Sequence, residues 1–268
     1  MKKKVVKKEQ DNNNKKTIKT IALSIITIIF LGGLLFLTFK ELLTEKDITI
    51  NTENIVSDAD RFEKEYEDIN NTVIDDRTYL SVNIPNPNPI KYINTKGIIE
   101  KLENKETFIL YFGYAKCPWC RVMLENMINQ SKEYNVENIY YMNIEDIRGS
   151  YKLNDSHELV VEKENTDDYK VLLSLFDNVL DVYESLKYTD EKGKEMIVPV
   201  NEKRIYAPTV ILVKEGVPFT KVTGIPKNMT DPYLAMSDDM IAESKDIFNK
   251  LYEEYNSSGS DSCLKEKC

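Results

Sequence analysis

The chain is poor in cysteine, with four in 268 residues, and these fall into two close pairs, Cys117/Cys120 and Cys263/Cys268. Four are too few for a disulfide scaffold in a chain of this length, and close spacing is typical of local chemistry rather than long-range crosslinking. Glycine and proline number only nine each, while 41% of the residues are hydrophobic. This composition excludes collagen-like and disordered classes, and it predicts a chain with a real hydrophobic core.

Outside one segment, acidic residues outnumber basic ones. Residues 1–20 contain eight Lys against Glu9 and Asp11, a net charge of +6, so the formal net charge of -9 leaves -15 for the rest of the chain. A surface of that sign repels phosphate backbones, which argues against nucleic acid as a partner.

The sequence has one long run without charge, from Thr20 to Phe39. Twenty residues in a helix reach about 30 Å, the thickness of a hydrocarbon core, and the run exceeds the ~7–15 residues of a signal-peptide core. The Lys-rich flank before it predicts a cytoplasmic tail at 1–19, a single transmembrane anchor at 20–39, and an extracytoplasmic location, at the cell membrane, for everything after Lys40. The alternative is a buried core helix, but an all-round apolar helix beside a solvated Lys-rich tail has nothing to pack on.

Beyond the anchor, residues 40–77 predict a polar spacer with one short helix around 58–68, and residues 78–255 predict a folded domain. Helices are predicted at 94–104, 121–134, 167–186 and 237–255, and strands at 79–84, 107–111, 138–144, 210–213 and 219–222. The turn at Lys214-Glu215-Gly216 predicts that the last two strands are antiparallel neighbours, and Glu191 to Lys194 predicts a further small hairpin. This alternation favours an α/β fold with a central mixed sheet flanked by helices, followed by a flexible tail at 256–268.

The segment Cys117-Pro118-Trp119-Cys120 lies between a predicted strand and an amphipathic helix. A cysteine at a helix N-terminus is stabilised as a thiolate by unpaired backbone N–H groups and the helix dipole, so Cys117 is the candidate nucleophile. Cys120 lies one turn into the helix and is the candidate resolving thiol, while Pro118 suits the first helical turn. The alternatives are an inert disulfide or half of a zinc site, which needs two more ligands. The candidates for those ligands are Cys263, Cys268 and the single histidine, His157.

From about Asn94 to Tyr255 the chain resembles the thioredoxin superfamily. The resemblance is carried by three segments: Phe108-Ile109-Leu110-Tyr111-Phe112, Cys117-Pro118-Trp119-Cys120 and Tyr206-Ala207-Pro208-Thr209-Val210. It implies a thioredoxin-like fold, a cis peptide bond at Pro208 and a backbone contact from Ala207 to bound substrate. Within the superfamily the chain looks most like the membrane-anchored extracytoplasmic proteins of Gram-positive bacteria, including the bacteriocin-transport accessory type.

The sequence departs from that family in two places. Residues 150–204 form an extra segment, predicted to be a mostly helical insertion. The buried acid that thioredoxins keep six residues before the first cysteine is replaced by Tyr111.

The resemblance and the motif together predict a thiol–disulfide oxidoreductase that needs no cofactor and no metal. Its expected partners are cysteine-containing secreted or membrane proteins and a membrane or extracellular redox partner. Trp119 and Pro118 are expected on the substrate surface, although Trp119 is also suited to cap Cys120. Cys263 and Cys268 are either a second dithiol that exchanges electrons with the first or a passive local disulfide. Competing hypotheses are a non-enzymatic adaptor for a transporter or secreted peptide, and metal delivery by the paired thiols.

Overall fold

A computed structural model describes residues 56–265, with side chains described through 258. The predicted cytoplasmic tail at 1–19, the predicted anchor at 20–39 and Cys268 lie outside the described residues. Within the described part of the chain, no helix is both long enough and apolar enough to cross a membrane.

The described residues contain five helices and thirteen strands. The helices are α1 Asp58–Glu67, α2 Thr95–Glu103, α3 Pro118–Glu133, α4 Asp167–Leu175 and α5 Asp238–Lys265. The strands are β1 Val73–Ile74, β2 Arg77–Thr78, β3 Ile90–Tyr92, β4 Phe108–Gly113, β5 Ile139–Asn143, β6 Ser150–Leu153, β7 Leu159–Lys163, β8 Asp181–Val182, β9 Leu186–Thr189, β10 Glu195–Val198, β11 Lys203–Arg204, β12 Thr209–Lys214 and β13 Val217–Val222.

Five of the strands form one mixed sheet in the order β13-β12-β4-β5-β3. Strands β3, β5 and β4 are parallel to one another, whereas β12 is antiparallel to β4 and to β13. The predicted α/β class with a central mixed sheet and flanking helices is therefore confirmed.

The central strand β4 is buried along its whole length because both faces of the sheet are covered. Alternate residues point to opposite faces. Ile109 and Tyr111 pack with apolar residues of α1, α3 and α5, whereas Phe108, Leu110 and Phe112 pack with residues of α2 and α4. A strand buried on both faces has an almost continuous apolar sequence, as this one has.

Most of the predicted elements of the domain are present. The helices expected at 94–104 and 121–134 and the strands expected at 107–111, 138–144, 210–213 and 219–222 correspond to α2, α3, β4, β5, β12 and β13 within a few residues. The predicted antiparallel pair around Glu215 is β12 with β13, and the predicted small hairpin is β9 with β10.

The short helix predicted around 58–68 is present as α1, but the prediction that it belongs to a polar spacer is wrong. This helix begins at a capping box, in which Ser57 and Asp60 bond each other's backbone N–H groups. Phe62 and Tyr66, four residues apart on one face, are fully buried against the sheet. The helix is therefore part of the core.

The strand predicted at 79–84 is also wrong. Val82 and Ile84 are buried and Ser81 and Asn83 are exposed, which is the alternation that suggested a strand. However, no neighbouring strand pairs with them. The amide of Val82 donates to Asn70 Oδ1 at 2.9 Å, and that of Ile84 donates to Glu67 Oε1 at 2.7 Å. Side chains thus replace the ladder that a strand requires.

The insertion at 150–204 is predicted to be mostly helical, and this prediction is wrong. The segment is built mainly from short hairpins. Its single helix, α4, ends at the C-cap Phe176, so the helix predicted at 167–186 covers only about the first half of that range. Phe176 and Leu180 remain buried because a tight turn carries them back to the core. Strands β6 with β7, β9 with β10 and β8 with β11 form three antiparallel pairs.

The flexible tail predicted at 256–268 differs from the structure too. Helix α5 continues from Asp238 through Lys265, well beyond the predicted end at Tyr255. Asn256 donates from Nδ2 to the carbonyl of Tyr134 at 2.9 Å, which fixes the beginning of this extension to the end of α3.

Candidate active site

The two neighbouring thiols lie where β4 passes into α3. Cys117 is the N-cap of the helix, and its sulfur accepts a hydrogen bond from the Cys120 amide at 3.3 Å. Pro118 occupies the first turn, where a missing N–H leaves no bond unmade. Cys117 is 3% exposed and Cys120 is fully buried, and both are free thiols. The sequence order strand, cysteine, proline, helix thus places one sulfur at the helix end and the other beneath it.

The pKa values of the two thiols are shifted in opposite directions. Burial opposes ionisation of Cys117, but hydrogen bonds from the Cys120 thiol and amide, and then the charge of Arg148, outweigh burial and lower its pKa. Burial and then the neighbouring Cys117 raise the pKa of Cys120 well above its usual range. A pair with one thiolate and one protonated thiol is suited to sequential attack, since the thiolate is the nucleophile.

Ala207 and Pro208 lie directly beside the first thiol. The Cys117 thiol donates to the Ala207 carbonyl at 3.1 Å, and the Ala207–Pro208 peptide bond is cis, as the resemblance implied. These residues are held there because Thr209, the first residue of β12, pairs with Phe112 near the end of β4. The sheet therefore brings together two segments that are about ninety residues apart in sequence.

A pocket of about 340 Å³ opens beside Cys117. Pro118 and Trp119 line it from α3, and Ala207 lines it from the opposite side. Trp119 is half-buried and also packs against the core cluster that contains Cys120. Both sequence interpretations of Trp119, substrate surface and cap over Cys120, agree with this position.

Two tyrosine hydroxyls lie next to each other in the core near Cys120. The hydroxyls of Tyr111 and Tyr66 are 2.8 Å apart and fully buried. Burial, followed by the proximity of Cys120, raises the pKa of Tyr111 well above its usual range, so the group is a neutral hydroxyl. That hydroxyl in turn favours the Cys120 thiolate, although burial dominates there. Tyr66 was missed by the sequence analysis because it comes from α1, which looked like part of a spacer.

Arg121 is a second residue that the sequence analysis missed. It is only 2% exposed, yet it has no carboxylate partner among the described side chains. Its guanidinium donates to the carbonyls of Leu80 and Tyr66, each at 2.8 Å, and to Asn70. Arg121 thus ties the first turn of the helix that carries both thiols to the preceding chain segment. No single-sequence pattern signals a buried arginine in this role.

Of the remaining predicted ligands and thiols, only His157 has a described side chain, and it lies outside this site. His157 stacks on Tyr188 within the insertion, with ring centroids 3.9 Å apart. No group of three or more His, Cys, Asp or Glu side chains suited to a metal ion occurs in the part of the chain that the structure describes. Cys263 falls in the last turns of α5 and Cys268 lies beyond the described residues, so their role as a second dithiol stays a prediction.

No family model matches this chain, and no curated protein shows significant sequence similarity to it.

We expect the acidity of Cys117 to show directly in its reactivity. Its rate of alkylation by iodoacetamide should rise with pH through a midpoint below the ordinary value for cysteine, because the pKa is lowered. Arg148→Gln should move that midpoint upward, since the variant removes a positive charge that favours the thiolate. The matched control is Lys152→Gln, an exposed position in the insertion that loses the same charge. Equal midpoints in all three proteins would contradict this electrostatic account.

The buried tyrosine pair should show coupling in stability. Tyr111→Phe or Tyr66→Phe leaves one buried hydroxyl without its 2.8 Å partner, and each should cost about 1–2 kcal/mol. The double Phe variant removes both hydroxyls and should lose less than the sum of the two single variants. Equilibrium urea unfolding measures all three free energies, with Tyr134→Phe at a less buried position as the control. Additive losses would show that the two hydroxyls do not depend on each other.

Proposed function

We propose that this protein is a thiol–disulfide oxidoreductase whose reacting groups are Cys117 and Cys120. The observation that carries the proposal is a helix-capping thiol of lowered pKa, one turn from a protonated thiol and in contact with Ala207 next to a cis proline. An inert structural disulfide does not need two cysteines of different pKa. A zinc site would need further ligands.

The chemistry proceeds in two exchanges. The Cys117 thiolate attacks one sulfur of a substrate disulfide, forming a mixed disulfide and releasing the other substrate sulfur as a thiolate, which takes a proton from water. Cys120 then attacks the Cys117 sulfur, and its proton passes to the second departing substrate thiolate. The substrate disulfide gains two electrons and becomes two thiols, while Cys117 and Cys120 become a disulfide. The same steps in reverse oxidise a substrate dithiol.

Two features of the structure favour the second exchange, the position of Cys120 and the hydroxyl of Tyr111. Cys120 is held within reach of Cys117 by the first turn of α3, so no rearrangement of the helix is needed. The neutral Tyr111 hydroxyl beside Cys120 favours the thiolate as it forms, against the strong opposing effect of burial.

The finer assignment is to a thioredoxin-like fold. It is supported by the order of the mixed sheet, by the motif between β4 and α3, and by Pro208 at the start of β12. The insertion at 150–204 and helix α1 are additions to that fold. A single membrane anchor at 20–39, with a cytoplasmic Lys-rich tail and an extracytoplasmic domain, is proposed on the charge pattern of the sequence alone.

No bound cofactor takes part in this proposal. Electrons pass to or from the Cys117/Cys120 pair through a second dithiol, supplied by a membrane or extracellular redox partner, with Cys263/Cys268 as a candidate within the chain. The substrates are cysteine-containing secreted or membrane proteins. The direction of transfer depends on the reduction potential of the pair, which spans about -270 to -120 mV in proteins of this chemistry.

The proposal is tested by catalysed thiol–disulfide exchange. The full chain, in a non-ionic detergent, should accelerate the reduction of an uncharged disulfide by dithiothreitol in proportion to its concentration. Absence of any acceleration, with biological activity retained by a Cys117→Ser variant, would instead favour the adaptor. Stoichiometric zinc or copper in anaerobically purified protein would favour metal delivery.

A further inference from the structure

The pocket beside Cys117 contains two arginines, both half-buried. Arg148 follows β5, and Arg204 ends β11 in the insertion. Arg148 donates to the Tyr114 hydroxyl at 2.9 Å and to the Ile205 carbonyl at 3.4 Å. Arg204 donates to the Gly149 carbonyl at 3.2 Å, and its guanidinium lies over the Tyr183 ring at 4.1 Å.

Neither guanidinium forms an ion pair with any described Asp or Glu side chain. Other cations of the described residues do have carboxylate partners, as Arg77 with Asp231 and Lys116 with Glu145 show. Glu184 is the carboxylate that also lines the pocket. It is exposed and reaches neither arginine, although its amide donates to Tyr206.

The positive charges of Arg148 and Arg204 repel each other in this pocket. Burial first, and then the charge of Arg148, lower the pKa of Arg204. Arg148 has an evident task, since it favours the Cys117 thiolate. Arg204 is not among the principal groups that act on Cys117, so the acidity of the nucleophile does not explain it. An anion bound between the two guanidiniums would relieve their repulsion and use donors that the protein leaves free.

We propose that this pocket binds a carboxylate that lies next to the reacting sulfur of the substrate. The proposal rests on the proposed function and adds a substrate class to it: disulfides and thiols with an acidic group close to the sulfur. A carboxylate in this position has two sources. One is an Asp or Glu that flanks the cysteine of a peptide or protein, and the other is the free carboxylate of a small thiol. The pocket volume of about 340 Å³ suits one such side chain or a small thiol.

The inference is tested with pairs of disulfide substrates whose two members differ only in whether the groups near the sulfur are carboxylates or neutral amides. One pair is a cystine-linked peptide with Glu or Gln beside the cysteine, and the other is glutathione disulfide with its carboxylates free or amidated. The full chain in a non-ionic detergent should show kcat/KM about tenfold higher for the acidic member of at least one pair, as expected for a charge-assisted hydrogen bond. The pair that shows the preference identifies the source. Equal rates within both pairs would overturn the inference.

Arg204→Gln should reduce that preference to about twofold or less, and the preference is a ratio within one pair, so it is independent of any change in rate that the two members share. Lys152→Gln is the matched control, because it removes the same charge from the same insertion but outside the pocket, and it should keep the preference. Arg204→Lys keeps the charge without the two-pronged donor geometry and should retain part of it. A full preference in a folded Arg204→Gln protein would contradict the assignment to Arg204.

Binding can be measured without any redox step. Trp119 is the single tryptophan of the chain and lines the pocket, so its fluorescence should report the binding of a Glu peptide whose cysteine is replaced by Ser. We expect at least fivefold weaker binding of the Gln peptide, and loss of the difference in Arg204→Gln. If this difference appears while no disulfide is turned over, the proposed function fails and the carboxylate site stands. If turnover occurs without any carboxylate preference, the reverse holds.

Discussion

Cys117→Ser should reduce catalysed disulfide exchange to the uncatalysed background, the largest effect expected of any single substitution in this chain. The variant keeps a small side chain at the helix N-cap, and serine is itself a favoured N-cap residue, so the fold should be preserved. What it removes is the thiolate that makes the first attack. The measurement is the rate of reduction of an uncharged disulfide by dithiothreitol, compared with wild-type protein at equal concentration.

Cys120→Ser is the matched control for that result. It leaves the attacking thiolate in place but removes the group that resolves the mixed disulfide. The variant should therefore accumulate a covalent adduct on Cys117, visible by mass spectrometry and removed by excess dithiothreitol. The adduct should be absent from the Cys117→Ser protein and from a variant that lacks both thiols. Turnover by Cys117→Ser at the wild-type rate, or an adduct on Cys120 in that variant, would show that Cys117 is not the nucleophile.

Arg121→Met should produce the largest loss of stability, about 3 kcal/mol or more. Methionine approximates the aliphatic part of the arginine side chain but donates no hydrogen bond. The carbonyls of Leu80 and Tyr66 would lose this donor in a buried region, and each unsatisfied group costs about 1–3 kcal/mol. Asn70 Oδ1 would lose one of its two donors and keep the Val82 amide. Equilibrium urea unfolding of the full chain measures the effect.

Arg61→Met is the comparison for that experiment. Arg61 is exposed on α1, where its guanidinium lies over the Tyr92 ring at 3.8 Å. A contact of that kind at an exposed site contributes about 0.5–1 kcal/mol. A loss for Arg121→Met no greater than that for Arg61→Met would mean that the bonds to Leu80, Tyr66 and Asn70 do not hold the two segments together.

The sequence was sufficient to predict the elements that rely on local patterns. The uninterrupted apolar run of β4, the N-capping Cys117 with Pro118 after it, and the turn before β13 each have a short-range physical cause. These three features account for the mixed sheet and for the position of the reacting thiols. The proximity of Ala207 and Pro208 to Cys117 came only from the resemblance to a known superfamily.

The sequence was not sufficient where the cause is a distant partner. The buried face of α1 consists of Phe62 and Tyr66 in an otherwise polar segment, and no local pattern shows that these two side chains pack against a sheet. Residues 79–84 alternate like a strand in sequence, but the amides of residues 82–84 bond to side chains of Asn70, Glu67 and Glu125. Such bonds depend on tertiary contacts and leave no periodic signal.

The insertion illustrates an ambiguity of periodicity. Its apolar residues between 167 and 186 suit one helix by spacing, yet the helix ends at Phe176 and a turn brings Leu180 to the core instead. The hairpins that follow place Tyr183 and Arg204 on the paired strands β8 and β11 or directly beside them. The arginine pair near Cys117 is therefore a product of strand pairing that the sequence analysis did not include.

The central claim is that Cys117 and Cys120 exchange electrons as one pair, and a redox titration tests it most directly. The full chain is equilibrated in glutathione or dithiothreitol buffers of defined potential, the thiols are quenched by acid and alkylated, and the fraction of each cysteine in a disulfide is measured by mass spectrometry. We predict a reversible two-electron transition in which Cys117 and Cys120 are oxidised together, with a midpoint that fixes the direction of transfer. Thiols that do not titrate reversibly, or that pair with other cysteines instead of each other, would contradict the account.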